Sequence, residues 1–446
     1  MGTKLYIKTY GCQMNEYDSQ KTVDILKQDS NIEETSNPEE ADIILLNTCS
    51  IREKAEEKIY SELGRLNKLK IKNPNLKIGV GGCVATQEGA KIFKRAPYVD
   101  LIYGPQTIHK VPALLKKEHK IEAVDISFPI EEKFDSLPES DASGPSSFVA
   151  IMEGCSKYCS FCVVPYTRGD EVSRKPIQIF DEVARLIEKG VSEITFVGQN
   201  VNAYKHTLNG RTLGLSDLIE VCAGIDGVER IRYTTSHPLE MTDDLIEVYS
   251  HVPQLVSQLH LPVQSGSNDV LTRMKRNYSR EHYLGIIQKL RKVRPNIKVS
   301  SDFIVGFPGE TDKDFQLTMQ LIDEVEFDAS FSFVYSPRPG TPASQLEDPV
   351  PLEEKKERLS ILQGRIDELQ LMYAQELEGS IQRCLVGGLS RKNSSQLQAR
   401  TECNRVVNFD FQNINILGKL VDIKIIKAHQ RSLTGKLFDI LEQESA

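Results

Sequence analysis

The chain has 446 residues, of which 39% are hydrophobic and 26% charged, so its composition is that of a globular protein with two or three domains. Its first residues lack the basic and apolar segments of a secretory leader, and no later run approaches about 18 apolar residues. We therefore expect a soluble cytoplasmic protein without a membrane span. The nine cysteines are then expected to stay reduced, so clustered ones should be metal ligands or catalysts.

The net charge of -8 argues against generic nucleic-acid binding, but the charge is unevenly distributed. Between Gly379 and Lys436 ten lysines and arginines accompany three acidic residues, which leaves -15 for the rest of the chain. This basic segment predicts phosphate contacts, although composition alone is also compatible with a merely solvated charged face. The candidate phosphate ligands lie in or beside predicted strands: Arg391, Lys392, Arg400, Arg405, Lys424 and Lys427.

The first third of the chain alternates short apolar runs with helical patterns, which is typical of a parallel α/β domain. The apolar runs are KLYIKTY, ADIILLN, LKIGVGG and DLIYG, and helices are predicted over 16–27, from about residue 51 and over 86–94. A stretch rich in acidic residues, Ser and Pro follows and is typical of a linker. We predict an N-terminal α/β domain over residues 1–125 and a linker over residues 126–147.

Six further strands are predicted in FVAIM, EITFVG, RIRYTT, QLHLPV, SSDFIVG and ASFSFVY, each followed by a helical pattern. Six β/α units predict a partial (β/α)6 barrel over residues 148–377, which ends with a long polar helix over 352–377. The tail carries the β-like runs IQRCLVGGL, QLQARTE, RVVNF and KLVDIKIIKA, spaced by turns. It predicts a small β-barrel over residues 378–446.

The most specific pattern is the loop GCSKYCSFC, directly after the first predicted barrel strand. Its cysteines, Cys155, Cys159 and Cys162, form a C-x3-C-x2-C motif and are called the loop triad below. Three thiolates bind three irons of a cubane 4Fe-4S cluster and leave the fourth iron open, whereas an electron-transfer cluster normally takes four cysteines. A zinc site would use paired C-x2-C arms or a nearby histidine, and neither flanks this loop. We predict a cluster with an open, catalytic iron.

Polar motifs end other predicted barrel strands: GQN at 198–200, TSHP at 235–238, LPVQSGS from Leu261 and DFIVGFPGET from Asp302. Active sites lie at the carboxyl ends of barrel strands, so these motifs are expected around one mouth. Each motif is weak alone, because glycines at strand ends are usually turns. His237 and His260 lie in the same region, but structural histidines are at least as common, so we assign them no role.

Three more cysteines, Cys12, Cys49 and Cys83, each come immediately after a predicted strand of the first domain and are called the sheet triad below. The carboxyl ends of parallel strands lie on one edge of a sheet, so these thiols are expected to converge. Buried structural thiols are the alternative, but the repeated placement favours a second cluster with an open iron. The remaining cysteines lack this placement and are not expected to be ligands: Cys222, Cys384 and Cys403.

The loop triad resembles the cysteine motif of the radical S-adenosylmethionine (SAM) superfamily, and the chain resembles the methylthiotransferase family along essentially its whole length. The first domain carries TYGCQMNEYDS, NTCSIREKAEEK and GGCVATQ. The central unit carries SKYCSFCVVPYTRG, GQNVNAY, RYTTSHP, HLPVQSGS and FIVGFPGET, and ARTECNRVVNF in the tail resembles the RNA-binding TRAM domain. Within the family, the chain is most similar to the enzymes that modify isopentenylated adenosine next to the anticodon of tRNA.

This resemblance implies two 4Fe-4S clusters and SAM as cofactors. The loop triad would hold the cluster that binds SAM, which is cleaved to methionine and a 5'-deoxyadenosyl radical. Phe161 would pack near the SAM adenine, although core packing also explains it, and Gln199 and Asn200 occupy the place of the SAM-amine motif. The sheet triad would hold a second cluster that supplies or carries sulfur, while one SAM donates the methyl group and another makes the radical.

The implied reaction is methylthiolation of isopentenyladenosine in the anticodon loop of tRNA. Carbon 2 of adenine is not nucleophilic, so a radical at that carbon avoids an inaccessible polar step. The base must leave its stack to enter a barrel mouth, which is easier in a loop than in a duplex. The electrons would come from a low-potential donor such as flavodoxin or ferredoxin, and we expect a monomer.

Other functions stay open at this point. One sibling methylthiotransferase modifies threonylcarbamoyladenosine in tRNA, and another modifies an aspartate of a ribosomal protein, whose motifs are expected to differ from CQMN and SKYCSFCVVPYTRG. A non-enzymatic alternative is an iron-sulfur redox sensor that binds RNA through the tail. Such a sensor has no use for an open iron at a barrel mouth, so cleavage of SAM would distinguish it from the enzymes.

Overall fold

The structure is a computed structural model and describes residues 2–29, 31–50, 55–128, 133–139, 144–390, 393–411 and 416–438. Three units follow one another along the chain: a parallel sheet covered by helices, an open barrel and a closed barrel. The predicted fold class is therefore confirmed. No helix in these ranges is both long enough and apolar enough to cross a membrane.

The N-terminal unit is built on a six-stranded sheet in which all neighbouring strands are parallel. Its strands are β1 (Thr3–Thr9), β2 (Ile32–Glu34), β3 (Ile43–Thr48), β4 (Lys77–Gly82), β5 (Leu101–Tyr103) and β6 (Val124–Asp125). They lie in the order β2-β1-β3-β4-β5-β6. Strand β3 is buried along its whole length, because helices pack on both faces of such a sheet. The helices are α1 (Gln13–Asp29), α2 (Ala55–Lys72), α3 (Cys83–Glu88), α4 (Lys91–Arg95) and α5 (Val111–Leu115).

The central unit contains all six predicted barrel strands, arranged as two three-stranded parallel sheets. The two sheets meet where Ile231 pairs with Leu255. Two short antiparallel strand pairs that the sequence pattern missed lie in the connections, and both consist of strands of two or three residues. The strands are β7 (Ser146–Ala150), β8 (Met152–Glu153), β9 (Val172–Ser173), β10 (Glu193–Val197), β11 (His206–Leu208), β12 (Arg211–Leu213), β13 (Arg230–Tyr233), β14 (Gln258–His260), β15 (Lys298–Val305) and β16 (Ala329–Val334).

Helices cover the outside of the open barrel and bury one continuous apolar core against its strands. Each large helix contributes an apolar stripe, as Leu218, Leu290 and Leu362 illustrate. The strand order β7-β10-β13 followed by β14-β15-β16 leaves β7 and β16 unpaired at the two edges. The helices are α6 (Val164–Arg168), α7 (Pro176–Glu188), α8 (Leu215–Ala223), α9 (Asp243–His251), α10 (Asn268–Arg273), α11 (Arg280–Val293), α12 (Asp312–Val325) and α13 (Leu352–Gln375).

The tail forms a closed five-stranded barrel in the order β17-β18-β19-β21-β20. The predicted runs correspond to β17 (Ile381–Leu389), β18 (Gln396–Arg400), β19 (Val406–Asp410) and β20 (Leu420–His429), and β21 (Ser432–Leu437) was not predicted. Inward-facing side chains such as Val386, Phe409 and Ile425 fill the barrel. Side chains fill the interior of small closed barrels in this way. Closure of the barrel also removes the free sheet edges.

Part of the predicted linker is packed rather than free. Residues Lys133–Ser136 form a 3-10 turn in which Lys133 and Phe134 are buried. Phe134 packs with Met14 and Tyr17 of α1 and with Ala150 of β7. This turn therefore fills the interface between the first and second units. Residues 129–132 and 140–143 lie outside the described residues.

Candidate active site

The loop triad lies in a tightly held loop that follows β8 at the mouth of the open barrel. The amide of Cys155 donates to the carbonyl of Gly169 at 3.1 Å, and the amide of Cys162 donates to the carbonyl of Cys159 at 3.0 Å. Gly154, just before the loop, has a φ of +76°, and a Cβ there would overlap the carbonyl of Asp170. These contacts hold the loop backbone in a conformation that brings the three thiols to the same region.

The thiols of the loop triad interact electrostatically. Burial, together with repulsion from the neighbouring thiolates, raises the pKa of Cys155 to about 11 and that of Cys162 to about 12. A bound metal ion reverses this balance, because a coordinating thiol loses its proton outright. Cys159 is buried and receives a hydrogen bond from Nη1 of Arg276 at 3.6 Å. The backbone amide of Val164 donates to Sγ of Cys162 at 3.5 Å.

Gln199 and Asn200 lie beside the loop at the end of β10, as the sequence predicted. Oε1 of Gln199 accepts a hydrogen bond from the amide of Gly154 at 2.6 Å, so it holds the start of the cysteine loop. Nδ2 of Asn200 donates to Glu171 at 2.8 Å, and the side chain is 1% exposed. Its Oδ1 is buried and has no hydrogen-bond partner among the described residues. An acceptor left in this state is available to a donor on a bound ligand.

His237 and Ser236, at the end of β13, carry two more unsatisfied polar atoms. Nδ1 of His237 accepts from the amide of Leu239 at 3.3 Å, while Nε2 is buried without a partner in the described part of the chain. Oγ of Ser236 is also buried and has no hydrogen-bond partner among the described residues. Burial, with the nearby charges of Arg276 and Lys157, lowers the pKa of His237 to about 2. The imidazole is therefore neutral, and its unpaired nitrogen is a donor.

Phe161 lies between the second and third cysteines of the loop and is partly buried. It packs against the apolar cluster formed by Val270, Met274, Phe307 and Tyr335. This packing anchors the loop to the second half of the barrel. The position is compatible both with an anchoring role and with the predicted contact to the SAM adenine, which stays a prediction.

The sheet triad converges as the topology predicted. Cys12, Cys49 and Cys83 follow β1, β3 and β4, which are adjacent in the sheet. Gly11, with a φ of +120°, lies so close to Cys49 that a Cβ would stand 2.5 Å from the Cβ of that cysteine. Asn15 ties the strand ends together, because its Nδ2 donates to the carbonyls of Tyr10 and Thr48 at 2.8 and 2.9 Å.

A buried charge network joins the two triads. Arg168, six residues after the loop triad, donates to Asp18 at 2.7 Å, to Glu153 at 2.5 Å and to Asn15 at 3.0 Å. Nζ of Lys133 lies 2.6 Å from Asp18 and 3.1 Å from Glu153. Two cations therefore balance two carboxylates, which is what buried charges require. Burial disfavours the ionised Asp18, but the two cations outweigh that penalty and hold its pKa below the usual value.

The residues of both triads fit iron-sulfur clusters. Among the described residues, no three His, Cys, Asp or Glu side chains are arranged around a single metal ion. A cubane does not need that arrangement, because each thiolate binds a different iron. The surroundings fit an anionic cluster: a buried arginine points at Cys159, and Arg168 lies close enough to Cys12 and Cys83 to interact with both electrostatically. Buried cations without a nearby negative group would be costly.

Three family models match the chain in succession. Residues 4–104 match the uncharacterized protein family UPF0004, residues 149–322 match the radical SAM superfamily, and residues 375–438 match the TRAM domain. The first two matches contain the sheet triad and the loop triad, and the third contains the closed barrel.

Full-length relatives share more than half of the sequence. The tRNA-2-methylthio-N(6)-dimethylallyladenosine synthase of Cellvibrio japonicus is 57% identical over 97% of this chain and 96% of its own length. Proteins of the same name from Alcanivorax borkumensis and Hahella chejuensis are each 56% identical, over 98% and 99% of this chain and over 98% and 100% of their own lengths. The chain belongs to the tRNA-2-methylthio-N(6)-dimethylallyladenosine synthase family.

Solved structures show that this family member shares its fold with other radical SAM proteins. The radical SAM methyltransferase TsrM from Kitasatospora setae, solved with cobalamin and a [4Fe-4S] cluster bound, superposes with a TM-score of 0.57 at 11% identity, over 86% of this chain and 81% of that one. The cobalamin-dependent radical SAM enzyme OxsB superposes with a TM-score of 0.53 at 15% identity, over 82% and 56% of the two chains. At such identities the likeness concerns the fold alone.

The other cysteines of this synthase-family chain lie away from both triads. Cys222 is in the core of the central unit and Cys384 in the core of the closed barrel, as expected for apolar positions. Cys403 contacts Thr401 and Arg405. The sequence pattern missed Arg168 and Arg276, because nothing in the local sequence distinguishes a buried arginine from an exposed one.

One predicted phosphate ligand is wrong. The side chain of Arg405 is 10% exposed and forms a bidentate ion pair with Asp328, at 2.6 and 3.1 Å, so it joins the tail to the central unit. Arg400, Lys424 and Lys427 are exposed on the closed barrel, and their contact with phosphates stays a prediction. The other two candidates lie outside the described residues: Arg391 and Lys392.

Proposed function

We propose that this protein converts isopentenyladenosine next to the anticodon of tRNA to its 2-methylthio derivative, with SAM and two 4Fe-4S clusters as cofactors. The observation that carries the proposal is the presence of two separate cysteine triads in a chain more than half identical to synthases of that name. The clusters and SAM, when bound, supply the carbon-centred oxidant, the sulfur and the methyl group.

Within this proposal, each unit of the chain has its own task. Residues 1–125 form the unit that holds the second cluster on the sheet triad, and residues 126–147 link it to the core. Residues 148–377 form the radical SAM core, in which the loop triad binds the first cluster. Phe161, Gln199 and Asn200 contact SAM, and the unpaired Oδ1 of Asn200 accepts a hydrogen bond from it. Residues 378–446 form the TRAM domain that binds RNA.

The charge pattern of the closed barrel supports tRNA binding. Lys424 on β20 pairs in register with Lys436 on β21, and both side chains are exposed on the outer face. Together with the exposed Lys427, they make the surface of the closed barrel positive, which favours an anionic partner. RNA phosphates supply that partner, and the contacts make the affinity dependent on salt.

The remaining features of the proposal concern the cellular setting. A low-potential electron-transfer protein such as a flavodoxin or ferredoxin supplies the electrons, and the enzyme acts in the cytoplasm as a monomer. The donor can be identified by SAM cleavage with each purified candidate in place of a chemical reductant.

The deciding experiment compares one tRNA with and without the isopentenyl group at saturating RNA. Burial of a five-carbon apolar chain contributes about 1.5 to 3 kcal/mol, by analogy with a Leu-sized side chain, which is roughly a ten- to hundredfold preference. We expect both RNAs to bind through their phosphates, but methylthiolation to be much faster with the isopentenyl group, because that group holds the adenine at the mouth. Equal turnover would contradict the assignment, and activity only on threonylcarbamoyladenosine would identify the sibling function.

A further inference from the structure

Arg276 is a buried arginine aimed at the loop triad. It lies between α10 and α11, and its side chain is 5% exposed. Nη1 donates to Sγ of Cys159 at 3.6 Å, Nη2 to the carbonyl of Pro262 at 2.6 Å, and Nε to Oη of Tyr278 at 2.8 Å. These three contacts use every nitrogen of the guanidinium, so they fix its position against the sulfur.

The backbone around Arg276 is also unusual. Lys275 and Asn277, its two neighbours, both have a φ of +56°. A lysine rarely adopts this left-handed conformation, which costs energy for a residue with a Cβ. Strain of this kind persists where the surrounding structure holds it, and it concentrates at functional sites. The turn therefore presents Arg276 toward Cys159 at a cost in local stability.

Among the described residues, Arg276 has no carboxylate counter-ion of the kind that other buried arginines have. Arg168, Arg174 and Arg358 each form an ion pair with at least one carboxylate. In the ranges that the structure describes, no carboxylate forms an ion pair with Arg276. A buried guanidinium without a negative partner is strongly destabilising. The negative partner that its geometry provides is the thiolate of Cys159, which is present when the cysteine binds iron.

We propose that Arg276 raises the reduction potential of the cluster held by the loop triad, through its charge and its hydrogen bond to the Cys159 thiolate. The inference rests on the cluster assignment of the proposed function and not on the RNA substrate. A one-electron reduction by an external low-potential electron-transfer protein adds one negative charge to the cluster. A fixed positive charge beside a ligating sulfur stabilises the more negative state, and hydrogen bonds to sulfur act in the same direction. Arg276 is thus a positioning and tuning residue.

The test is a redox titration of the cluster, followed by its electron paramagnetic resonance signal. It uses the full-length chain with the sheet triad changed to Ala, so that only the loop-triad cluster contributes. We expect Arg276→Gln to shift the one-electron reduction equilibrium at least tenfold against the reduced state, which corresponds to about 59 mV. Arg276→Lys keeps the charge but cannot make the same three contacts, and its potential should fall between the two.

Two controls keep this test decisive. Arg365→Gln removes an exposed arginine that pairs with Asp323 on the outer surface and should leave the potential unchanged. If Arg276→Gln fails to retain iron, Arg276→Lys is titrated in its place and should still show a lowered potential. A wild-type potential in every iron-containing Arg276 variant would overturn the proposal, whatever the effect on turnover.

A second inference concerns two exposed aromatic side chains on β16. Phe331 is 58% exposed and Phe333 is 44% exposed, while Ser332 between them is buried. Large apolar side chains that face solvent on a strand commonly mark a binding surface. Among the described strands, β16 is one of the two free edges of the open barrel, so these rings line its lateral opening.

The register shows that both rings face the inside of the barrel. Phe331 pairs with Asp302 of β15, and Phe333 pairs with Ile304. Ile304 packs in the same apolar cluster as Phe161 of the cysteine loop. The alternate residues of β15, such as Phe303, pack instead in the core under the outer helices. The rings therefore share a face with the side chain that adjoins the cysteine loop.

We infer that Phe331 and Phe333 hold the isopentenyl group of the target adenosine, an inference that rests on the proposed function. His260 packs edge-to-face against Phe331, with ring centroids 5.8 Å apart. This contact holds the Phe331 ring in place as one wall of the binding site. A five-carbon branched chain is apolar and of a size to lie between two phenyl rings. Substrate bound between these rings would remove their apolar surface from water, which favours binding.

The experiment measures kcat/KM for the same tRNA with and without the isopentenyl group, using Phe331→Ala combined with Phe333→Ala. Because both side chains are exposed, the substitution should not unfold the protein. We expect the preference for isopentenylated tRNA to fall roughly tenfold. Ile361→Ala, which removes an exposed side chain from α13, is the matched control.

The outcomes separate this inference from the function on which it rests. If wild-type protein shows no preference for isopentenylated tRNA, the proposed function fails. If the wild type shows that preference and the double variant keeps it in full, the role of the two rings is overturned.

Discussion

Cys155, Cys159 and Cys162 lie within eight residues of one loop, whereas Cys12, Cys49 and Cys83 are spread over 72 residues and three strands. The loop triad is placed by local hydrogen bonds and by a few packing contacts. The sheet triad depends on three strands keeping their parallel register, and on Asn15 joining two strand ends. A metal-binding geometry can thus be encoded either in the spacing of a short motif or in the topology of a whole sheet.

The two triads also differ in their surroundings. Two thiols of the loop triad, Cys155 and Cys162, are partly exposed, whereas only Cys12 of the sheet triad is. The electrostatic partner of the loop triad is Arg276, from the same unit, whereas that of the sheet triad is Arg168, from the neighbouring unit. The sheet triad should therefore be the more sensitive of the two to changes at the interface between units.

The largest expected effect comes from the loop triad. Cys159→Ala removes the buried central thiol and should abolish formation of 5'-deoxyadenosine, because the cluster that carries the open iron is held by three protein ligands. The measurement is chromatography of 5'-deoxyadenosine from anaerobically reconstituted, reduced protein. Substantial residual cleavage would refute the role given to this loop. Cys222→Ala, which changes a core cysteine, is the control and should retain cleavage.

The sheet triad should show the complementary result. Anaerobically reconstituted wild-type protein is expected to hold about eight irons as two 4Fe-4S clusters. Changing Cys12, Cys49 and Cys83 together to Ala should remove roughly half of the iron and abolish methylthiolation, while SAM cleavage persists. Iron analysis and SAM cleavage are measured on the same samples. A triple variant that kept all of its iron would show the second-cluster assignment to be wrong.

The buried network between the triads sharpens the comparison further. Arg168→Gln leaves Asp18 and Glu153 with only Lys133 to balance them, and breaking a buried ion pair in this way costs about 3 to 5 kcal/mol. We expect a lowered unfolding midpoint in urea and selective loss of iron from the sheet triad. The exposed Arg365→Gln serves as control and should cost less than about 1 kcal/mol. Equal loss of iron from both triads would contradict the proposed difference in sensitivity.

The smallest effect is expected from the tail. Lys424→Gln with Lys427→Gln should weaken tRNA binding and reduce the slope of log affinity against log salt by roughly two phosphate contacts. SAM cleavage without RNA should stay at the wild-type rate. Filter binding at several salt concentrations measures the slope. An unchanged slope would mean that these lysines do not contact phosphates.

The fold could be predicted from the sequence wherever an element has a strong apolar pattern. Strands such as β3 and β15 are rich in β-branched or aromatic residues and were predicted, as were the parallel arrangement and the closed tail barrel. Strand β21, with the sequence SLTGKL, has no apolar run and was missed. It exists because β19 and β20 offer it hydrogen bonds on both sides. Its strand character is thus conferred by tertiary context.

Only those residues of the candidate site that lie in a cysteine motif or at the end of a strand could be predicted from the sequence. Arg276 lies 117 residues from Cys159, and Arg168 lies 150 residues from Asp18, so no local pattern connects them. The same reason explains the error at Arg405, whose partner Asp328 is 77 residues away. Charge alone suggested a phosphate ligand, whereas the fold places a carboxylate against it.

The tail barrel is fastened to the central unit by buried arginines. Arg230 donates to the carbonyls of Arg400 and Arg383 at 3.0 and 2.5 Å, and Arg232 donates to the carbonyl of Thr401 at 3.1 Å. If the tail binds RNA phosphates, its attachment fixes the distance between the phosphate-binding surface of the tail and the mouth of the open barrel. Because the fold sets this distance, a base is selected first by its position along the RNA and only then by its chemical structure.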